Sequence, residues 1–383
     1  MHSELGAPAQ LNQLKVAIVH EWFVNYAGSE RVVEQLLDVF PQAEIFALVD
    51  FLPDNQRFYL KGKKPRTSFI QKLPFARKAF RNYFPWFPVA VESYDLRGFD
   101  VVISSTHVAA KGVIINQDQL HIAYCHSPCR FAWDLYHQYL EEAGLRSGIK
   151  GYLAQFFLSR LRIWDQISTQ RVHHFIANST YIASRIKHVY GRESDVIFPP
   201  VDTQSFDLQA LKCEYYFAAS RLVPYKKLDL IVEAFAAMPE KKLIVVGSGP
   251  DADKVKRKLT SNIDFRSEAP GPEFRQLMAG AKAFVFAAEE DFGITMAEAL
   301  ATGTPVIAFR KGGASDIIQD GETGILFASQ SVDSLTQAVY RFEKEGITKT
   351  PLQIRAAAQR FSQAVFKTEI ARFVWEKWQA FQP

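Results

Sequence analysis

Short apolar runs alternate with amphipathic stretches along most of this chain. Residues 15–20 (KVAIVH) form a β-branched run that ends in a glycine-containing turn, NYAGSE, and leads into RVVEQLLDVF, whose apolar positions keep helical spacing. The unit reads strand, loop, helix. It recurs, with strand candidates at residues 45–49 (IFALV), 101–104 (VVIS), 121–124 (HIAY) and 175–177 (FIA) separated by longer segments. Strands alternating with helices predict a parallel sheet covered on both faces.

At residues 196–203 (VIFPPVDT) two prolines interrupt the pattern and predict a linker. The alternation then restarts, with strands expected at residues 215–219, 242–246, 263–265, 283–287 and 305–308, and helices at 228–237, 273–279 and 295–301. Residues 362–381 space Phe366, Ile370, Phe373, Val374 and Trp378 by threes and fours, which predicts a packing helix. Residues before Leu11 are expected to form a disordered tail. The fold class expected is therefore α/β: two Rossmann-like, doubly wound domains facing one another across a cleft. Ligands in such sheets bind beyond the carboxyl ends of the strands, where the loops NYAGSE and SRLVPYKK fall.

Length agrees, since 383 residues divided by a typical domain of about 150 gives two domains with full cores. The apolar share of 48% and charged share of 22% are those of an ordinary soluble chain, and no run reaches the roughly 18 apolar residues of a spanning helix. Three cysteines cannot build a disulfide framework, and MHSELGAPAQ has neither the basic start nor the apolar core of a signal peptide. A reducing cytoplasm is the expected compartment.

The net charge of +4 changes the picture once it is located. Between Asn55 and Val91 lie nine basic residues and no acidic one; without those nine, 36 of the 45 basic residues face 41 acidic ones. The same segment holds nine of the 51 aromatics. Cations interleaved with aromatics suit an interfacial surface, and an anionic membrane is the expected partner. The alternative is a helical pair whose aromatics are core and whose lysines are simply solvated. The acidic remainder argues against nucleic acid.

Three windows carry candidate chemistry. In residues 289–308 (EEDFGITMAEALATGTPVIA) a strand runs into acidic residues, Gly293 and a helix start, whose unpaired amides suit a phosphate. Glu290 sits in the loop and Glu298 one turn into the helix, placed for a sugar and a second polyol, unless the acids merely cap the helix. In SRLVPYKKL, Arg221 and Lys226 follow a strand and suit a diphosphate; a solvated loop is the alternative. In CHSPCRFAWD, Cys125, His126, Cys129 and the upstream His121 superficially resemble a zinc site, but a strand-end His126 facing the cleft is the better reading. Gly247, Gly249 and Ala252 fit a dinucleotide fingerprint only loosely, and the Asp251–Asp253 acids read as a helix start.

Taken together, these windows resemble the retaining, GT-B-fold glycosyltransferases of family 4, over nearly the whole chain. HSPCRFAWD, ANSTYIASRI, YGRESDVIFPPVD and SRLVPYKK look like the mannosyltransferase-like branch that builds bacterial surface polysaccharides. The resemblance implies an acceptor-binding domain at residues 12–200, joined by a C-terminal helix at about 365–383, and a donor-binding domain at 201–364. It implies that Gly28 approaches the donor phosphate through its backbone, that Arg221 and Lys226 neutralise the departing diphosphate, and that Glu290 binds donor-sugar hydroxyls. Phe292, Gly293, Ile294 and Thr295 would hold sugar and β-phosphate, Glu298 the ribose hydroxyls, and His126 the sugar beside the reacting carbon. Ala27, Ser220, Ser267 and Ala287 depart from the family's usual glycines and proline, with Ser267 near the expected base pocket. The implied reaction is transfer of a hexose from GDP-mannose or UDP-glucose to a lipid-linked or growing glycan, with no metal or other cofactor. A nucleotide-sugar epimerase of the same fold and a non-catalytic membrane scaffold are the alternatives.

Overall fold

The computed structural model describes residues 9–381. Within them the chain divides into two compact units, one reaching Pro200 and rejoined from Phe366 onward, the other Val201–Val365. The first unit is built on seven strands: β1 (Val16–Phe23), β2 (Glu44–Asp50), β3 (Arg66–Thr67), β4 (Val101–Thr106), β5 (Leu120–Cys125), β6 (His174–Ala177) and β7 (Ser194–Val196). All pair in parallel, in the order β3-β2-β1-β4-β5-β6-β7. The second unit carries β8 (Tyr216–Ala219), β9 (Leu243–Val246), β10 (Ile263–Arg266), β11 (Ala283–Phe286), β12 (Val306–Phe309) and β13 (Gly324–Phe327), parallel in the order β10-β9-β8-β11-β12-β13.

Every residue of β4 and β5 is buried, as a strand covered by helices on both sides requires. The helix Gln363–Phe381 lays Phe366, Ile370, Phe373 and Val374 into the core of the first unit beside Leu11, Ile18 and Leu36. The ten strands expected from the apolar runs are present. Three more are not legible there: β3 has two residues, β7 is a polar edge strand, and β13 begins at Gly324. A Cβ on Gly324 would collide with the Val306 carbonyl, so glycine is what lets β13 approach β12. Most of the expected N-terminal tail lies outside the described residues, but its last part is ordered: Ala9–Gln13 is a 3-10 turn and Leu11 is buried.

Residues 55–91 form short turns rather than a helical pair. Tyr59, Phe80 and Phe87 are core, whereas Phe58, Phe69 and Trp86 are exposed and Phe75 is 82% exposed. The helix Gly148–Ser168, not anticipated from the sequence, is apolar on both sides. Gly151, Ala154, Leu158 and Leu161 face inward, while Ile149, Tyr152, Leu153, Phe156, Ile163 and Ile167 line the opposite face, each at least 51% exposed. Its single carboxylate, Asp165, is fully buried in an ion pair with Lys111 and accepts the Trp133 indole N–H at 2.7 Å. Removing one partner strands a buried charge. Lys111→Met is expected to lower stability in urea unfolding by about 3–5 kcal/mol, and the Lys111→Met/Asp165→Leu double variant to recover most of that loss.

Candidate functional site

Each sheet reverses its strand order once, and the loops that leave the two strands there diverge and open a crevice at their carboxyl ends. In the first unit that point lies between β1 and β4. Strands buried on both faces read as apolar, yet the carboxyl ends here hold His20, Glu21, Ser105 and Thr106, all buried. Register puts His20 beside Ser105. His20 Nδ1 lies 3.2 Å from Ser105 Oγ, and Ser105 Oγ lies 2.8 Å from His126 Nε2. On its other side His20 Nε2 lies 3.5 Å from Glu30 Oε1.

Glu30 belongs to the helix Gly28–Val39, so Gly28 opens the helix whose first turn carries this carboxylate. Glu30 Oε2 accepts the Ala27 N–H at 3.1 Å and the Ser29 hydroxyl at 2.9 Å, tying the NYAGSE loop to the histidines. Burial pushes the Glu30 carboxyl up, but the hydrogen bonds it accepts, that from His20 first and then that from Ser29, hold it below its ordinary value. His126 moves well below the ordinary histidine value, chiefly through burial and then through His107 and His20, and so is neutral. The Asn178 amide donates to the His126 carbonyl at 3.1 Å and fixes its backbone.

Glu21 organises the loop after β4. Its Oε1 accepts the N–H groups of His107, Val108, Ala109 and Ala110 at 2.8–3.0 Å, and the Thr106 hydroxyl at 3.0 Å. Burial pushes this carboxyl up, yet His107 and those backbone donors hold it below its ordinary value of 4.5. The loop presents His107 edge-on to Trp22, with ring centroids 4.8 Å apart.

The second unit repeats the arrangement at β8 and β11. Lys226, in the 3-10 turn Pro224–Lys226 after β8, forms an ion pair with Glu290, which follows β11. Gly293, with φ of +95°, ends the loop and starts the helix Ile294–Ala301, whose first turn receives no side-chain cap. Phe292 is buried, Ile294 and Thr295 are partly buried, and Glu298 is buried within the helix. Arg221 is exposed and forms no ion pair among the described residues.

The loop from Glu289 to Gly293 is braced by a segment the sequence reading passed over. After β12, Gly313 donates its N–H to the Glu290 carbonyl at 2.9 Å, and a Cβ on Gly312 or Gly313 would collide with the backbone of Glu290 or Phe292. The signal was the glycine pair in RKGGA, directly after an apolar run. Gly247 and Gly249 have a similar role, since a Cβ on either would strike the carbonyls of Ser220 and Leu222. Ser267 follows β10 at the sheet's edge.

The zinc-like residues are committed elsewhere. His121 sits in the core with Nε2 2.9 Å from Ser104 Oγ and Nδ1 2.9 Å from the Arg171 carbonyl, so neither ring nitrogen is left for a metal. Burial lowers its pKa to about 4. The Cys129 thiol is pushed well up by burial, and among the described residues no cluster of metal-ligating side chains occurs.

The family model for "Glycosyl transferases group 1" matches residues 202–361, and that for "Glycosyltransferase Family 4" matches residues 26–205. The chain belongs to the group 1, family 4 glycosyltransferases. It is 30% identical over 192 residues to a GDP-mannose-dependent alpha-(1-6)-phosphatidylinositol monomannoside mannosyltransferase of Mycolicibacterium smegmatis, covering 42% of this chain and 50% of that protein. It is 27% identical over 215 residues to a D-inositol 3-phosphate glycosyltransferase of Mycobacterium avium, covering 50% and 48%. The chain thus spans about half the length of these curated relatives. Among solved structures, Anabaena Alr3699/HepE in complex with UDP and glucose superposes with a TM-score of 0.68 at 16% identity, over 94% of this chain and 99% of that one. The sucrose-phosphate synthase of Thermosynechococcus elongatus does so at 0.69 and 17%, over 96% and 100%. The fold of this glycosyltransferase family member is GT-B, built on two Rossmann-like parallel sheets.

Glu21 supplies a test of how the first unit's loop is held. Glu21→Gln removes a charge-assisted acceptor worth about 1.5–3 kcal/mol, so amide hydrogen exchange at residues 107–110 should accelerate on the order of ten- to a hundredfold. Because the folded pKa is lowered, the stabilisation is present above the ordinary value of 4.5 and disappears as pH falls through the lower folded value. Urea midpoints taken down that range should fall less steeply for Glu21→Gln than for the natural chain.

Proposed function

We propose that this protein is a retaining glycosyltransferase that moves a hexose from a nucleoside diphosphate sugar to a lipid-linked or growing glycan. The observation that carries the reading is the Lys226–Glu290 pair beside the uncapped start of the helix Ile294–Ala301, at the strand ends of the second unit. An uncapped helix start and two cations suit a diphosphate; a loop carboxylate suits sugar hydroxyls. In this reading Arg221 and Lys226 stabilise the leaving diphosphate, Glu290 binds the sugar, and amides from Phe292 to Thr295 take sugar and β-phosphate. Glu298 takes the ribose. From the first unit, Gly28 offers its backbone to the phosphate and neutral His126 faces the developing positive charge on the sugar.

Charge stabilisation of the leaving group and positioning supply the catalysis. The phosphate oxygen itself takes the acceptor's proton, so no general-base pair is required, and the fixed cations take the part a metal would play. GDP-mannose is the favoured donor, from the resemblance and from the name of the M. smegmatis relative, with UDP-glucose the competitor.

A panel of labelled nucleotide sugars with purified protein tests this. Transfer or slow hydrolysis of one donor, reduced at least a hundredfold by Lys226→Ala or Glu290→Ala, is the expected result. No turnover of any donor together with no binding of GDP or UDP would sink it. Conversion of a nucleotide sugar without acceptor would point to an epimerase instead.

The acceptor side of the proposal includes an anionic membrane. The exposed aromatics of residues 55–91, the cations beside them and the apolar outer face of the helix Gly148–Ser168 all belong to the first unit, and the turn Phe80–Trp86 packs against that helix. Among the described residues no helix is long and apolar enough to cross a membrane. A helix apolar on its outer face and rimmed by Lys150 and Arg160 suits lying in the headgroup region. Flotation with phosphatidylcholine vesicles, with and without phosphatidylglycerol, reads this out. Charge reversal at Lys63, Lys64, Arg77 and Lys78, each worth about 1 kcal/mol at an anionic surface, should abolish binding to the anionic vesicles; undiminished binding removes the role of these cations, and no flotation of the natural chain with either vesicle removes the membrane role and leaves the transferase reading standing.

A further inference from the structure

The chain of polar groups from Glu30 to His126 has a direction, and the direction can be worked out donor by donor. Glu30 is an ionised carboxylate, held so against the effect of burial by the hydrogen bonds it accepts from His20 and Ser29, and an ionised carboxylate only accepts. Its Oε2 is occupied by the Ala27 N–H and the Ser29 hydroxyl, and its Oε1 faces His20 Nε2. That nitrogen must therefore carry a proton. In a neutral His20, Nδ1 is then a lone pair and can only accept, so the hydrogen atom between Nδ1 and Ser105 comes from the serine hydroxyl. The Ser105 hydroxyl has then spent its proton, and its oxygen accepts from His126 Nε2 at 2.8 Å.

We propose that Glu30, acting through a neutral His20 and Ser105, holds His126 in the tautomer that keeps its proton on Nε2 and presents Nδ1 as a bare acceptor. Glu30, His20 and Ser105 are positioning residues: none needs to touch the substrate, and all three are buried. The other ionisable groups around the relay do not set its direction. Glu21 is taken up by backbone amides, His107 packs on Trp22, and the Tyr124 hydroxyl donates to the Ile197 carbonyl.

The consequence for chemistry rests on the transferase reading. A sugar that develops positive charge at its reacting carbon is stabilised by a nitrogen lone pair and repelled by an N–H, so the wrong tautomer turns a helpful neighbour into a harmful one. The same relay ties the choice to the loop at Gly28, because the Glu30 carboxylate that starts it also holds Ala27 and Ser29.

Nitrogen NMR of the full-length 15N-labelled chain at about pH 8, above the ordinary imidazole pKa of about 6.5, reads the tautomer directly. The His126 signals are assigned by their loss in His126→Gln. The natural chain should show a protonated Nε2 and a bare Nδ1. In Glu30→Gln the side-chain oxygen can still accept from Ala27, but the amide now donates to His20 Nε2. The whole relay then reverses, and His126 should move to the Nδ1-protonated form. Ser105→Ala breaks the relay, so His126 should become a mixture of tautomers and Glu30→Gln should have no further effect on it. With the donor that the natural enzyme uses, kcat in Glu30→Gln should fall about 100-fold or more, while the KM for donor stays within about threefold. A proton on Nδ1 of His126 in the natural chain overturns the proposal, as does an unchanged tautomer in folded Glu30→Gln. If the tautomers behave as expected but no donor is turned over, the relay stands and the transferase reading falls.

Discussion

Parallel pairing is the constraint from which the rest of this molecule follows. Strands buried on both faces favour apolar side chains along their length, so polar residues gather toward the carboxyl ends and in the loops beyond them. A parallel sheet also places every carboxyl end on the same edge, and the point where strand order reverses is the one place on that edge where two loops part. Both units use it. In the first, His20, Glu21, Ser105 and Thr106 crowd the ends of β1 and β4; in the second, Lys226 and Glu290 bridge the loops after β8 and β11.

The two sets solve different physical problems. In the first unit, loops are shaped by buried carboxylates that gather backbone N–H groups: Glu21 collects four in succession. In the second, loops are shaped by missing side chains. Gly247, Gly249, Gly312 and Gly313 let one backbone segment lie directly on the next, at places where a single methyl group would collide with a carbonyl. The carboxylate scaffold fixes the loop after β4 by the donors it collects, whereas the glycine scaffold lets the loops around the Lys226–Glu290 pair pack backbone on backbone.

Much of this was legible in the sequence, and the reasons for the remainder are specific. Ten of the thirteen strands among the described residues announce themselves as apolar runs, and Lys226, Glu290 and the helix start after Gly293 follow from their place just beyond such runs. Glu30, His20 and Ser105 were missed because their meaning depends on register: nothing in VHEW or VVISST says that residue 20 will lie beside residue 105. The available hint was that polar residues interrupt otherwise apolar strands only at their ends. The helix Gly148–Ser168 escaped for the opposite reason. Its apolar residues occupy both faces, so no amphipathic period stands out.

That helix raises a question of rotation. A helix with two opposite apolar faces gains comparable burial whichever of them it turns inward, and hydrophobic packing alone leaves the choice between them undecided. Asp165 removes the ambiguity. Turning the helix would carry this carboxylate away from Lys111 and the Trp133 indole, at the cost of two buried charges left unpaired. The ion pair therefore acts as a key in a slot: it selects which apolar face the molecule keeps and which it shows, so that the outward stripe of isoleucine, leucine and aromatic side chains is a specified surface and not the residue of incomplete packing.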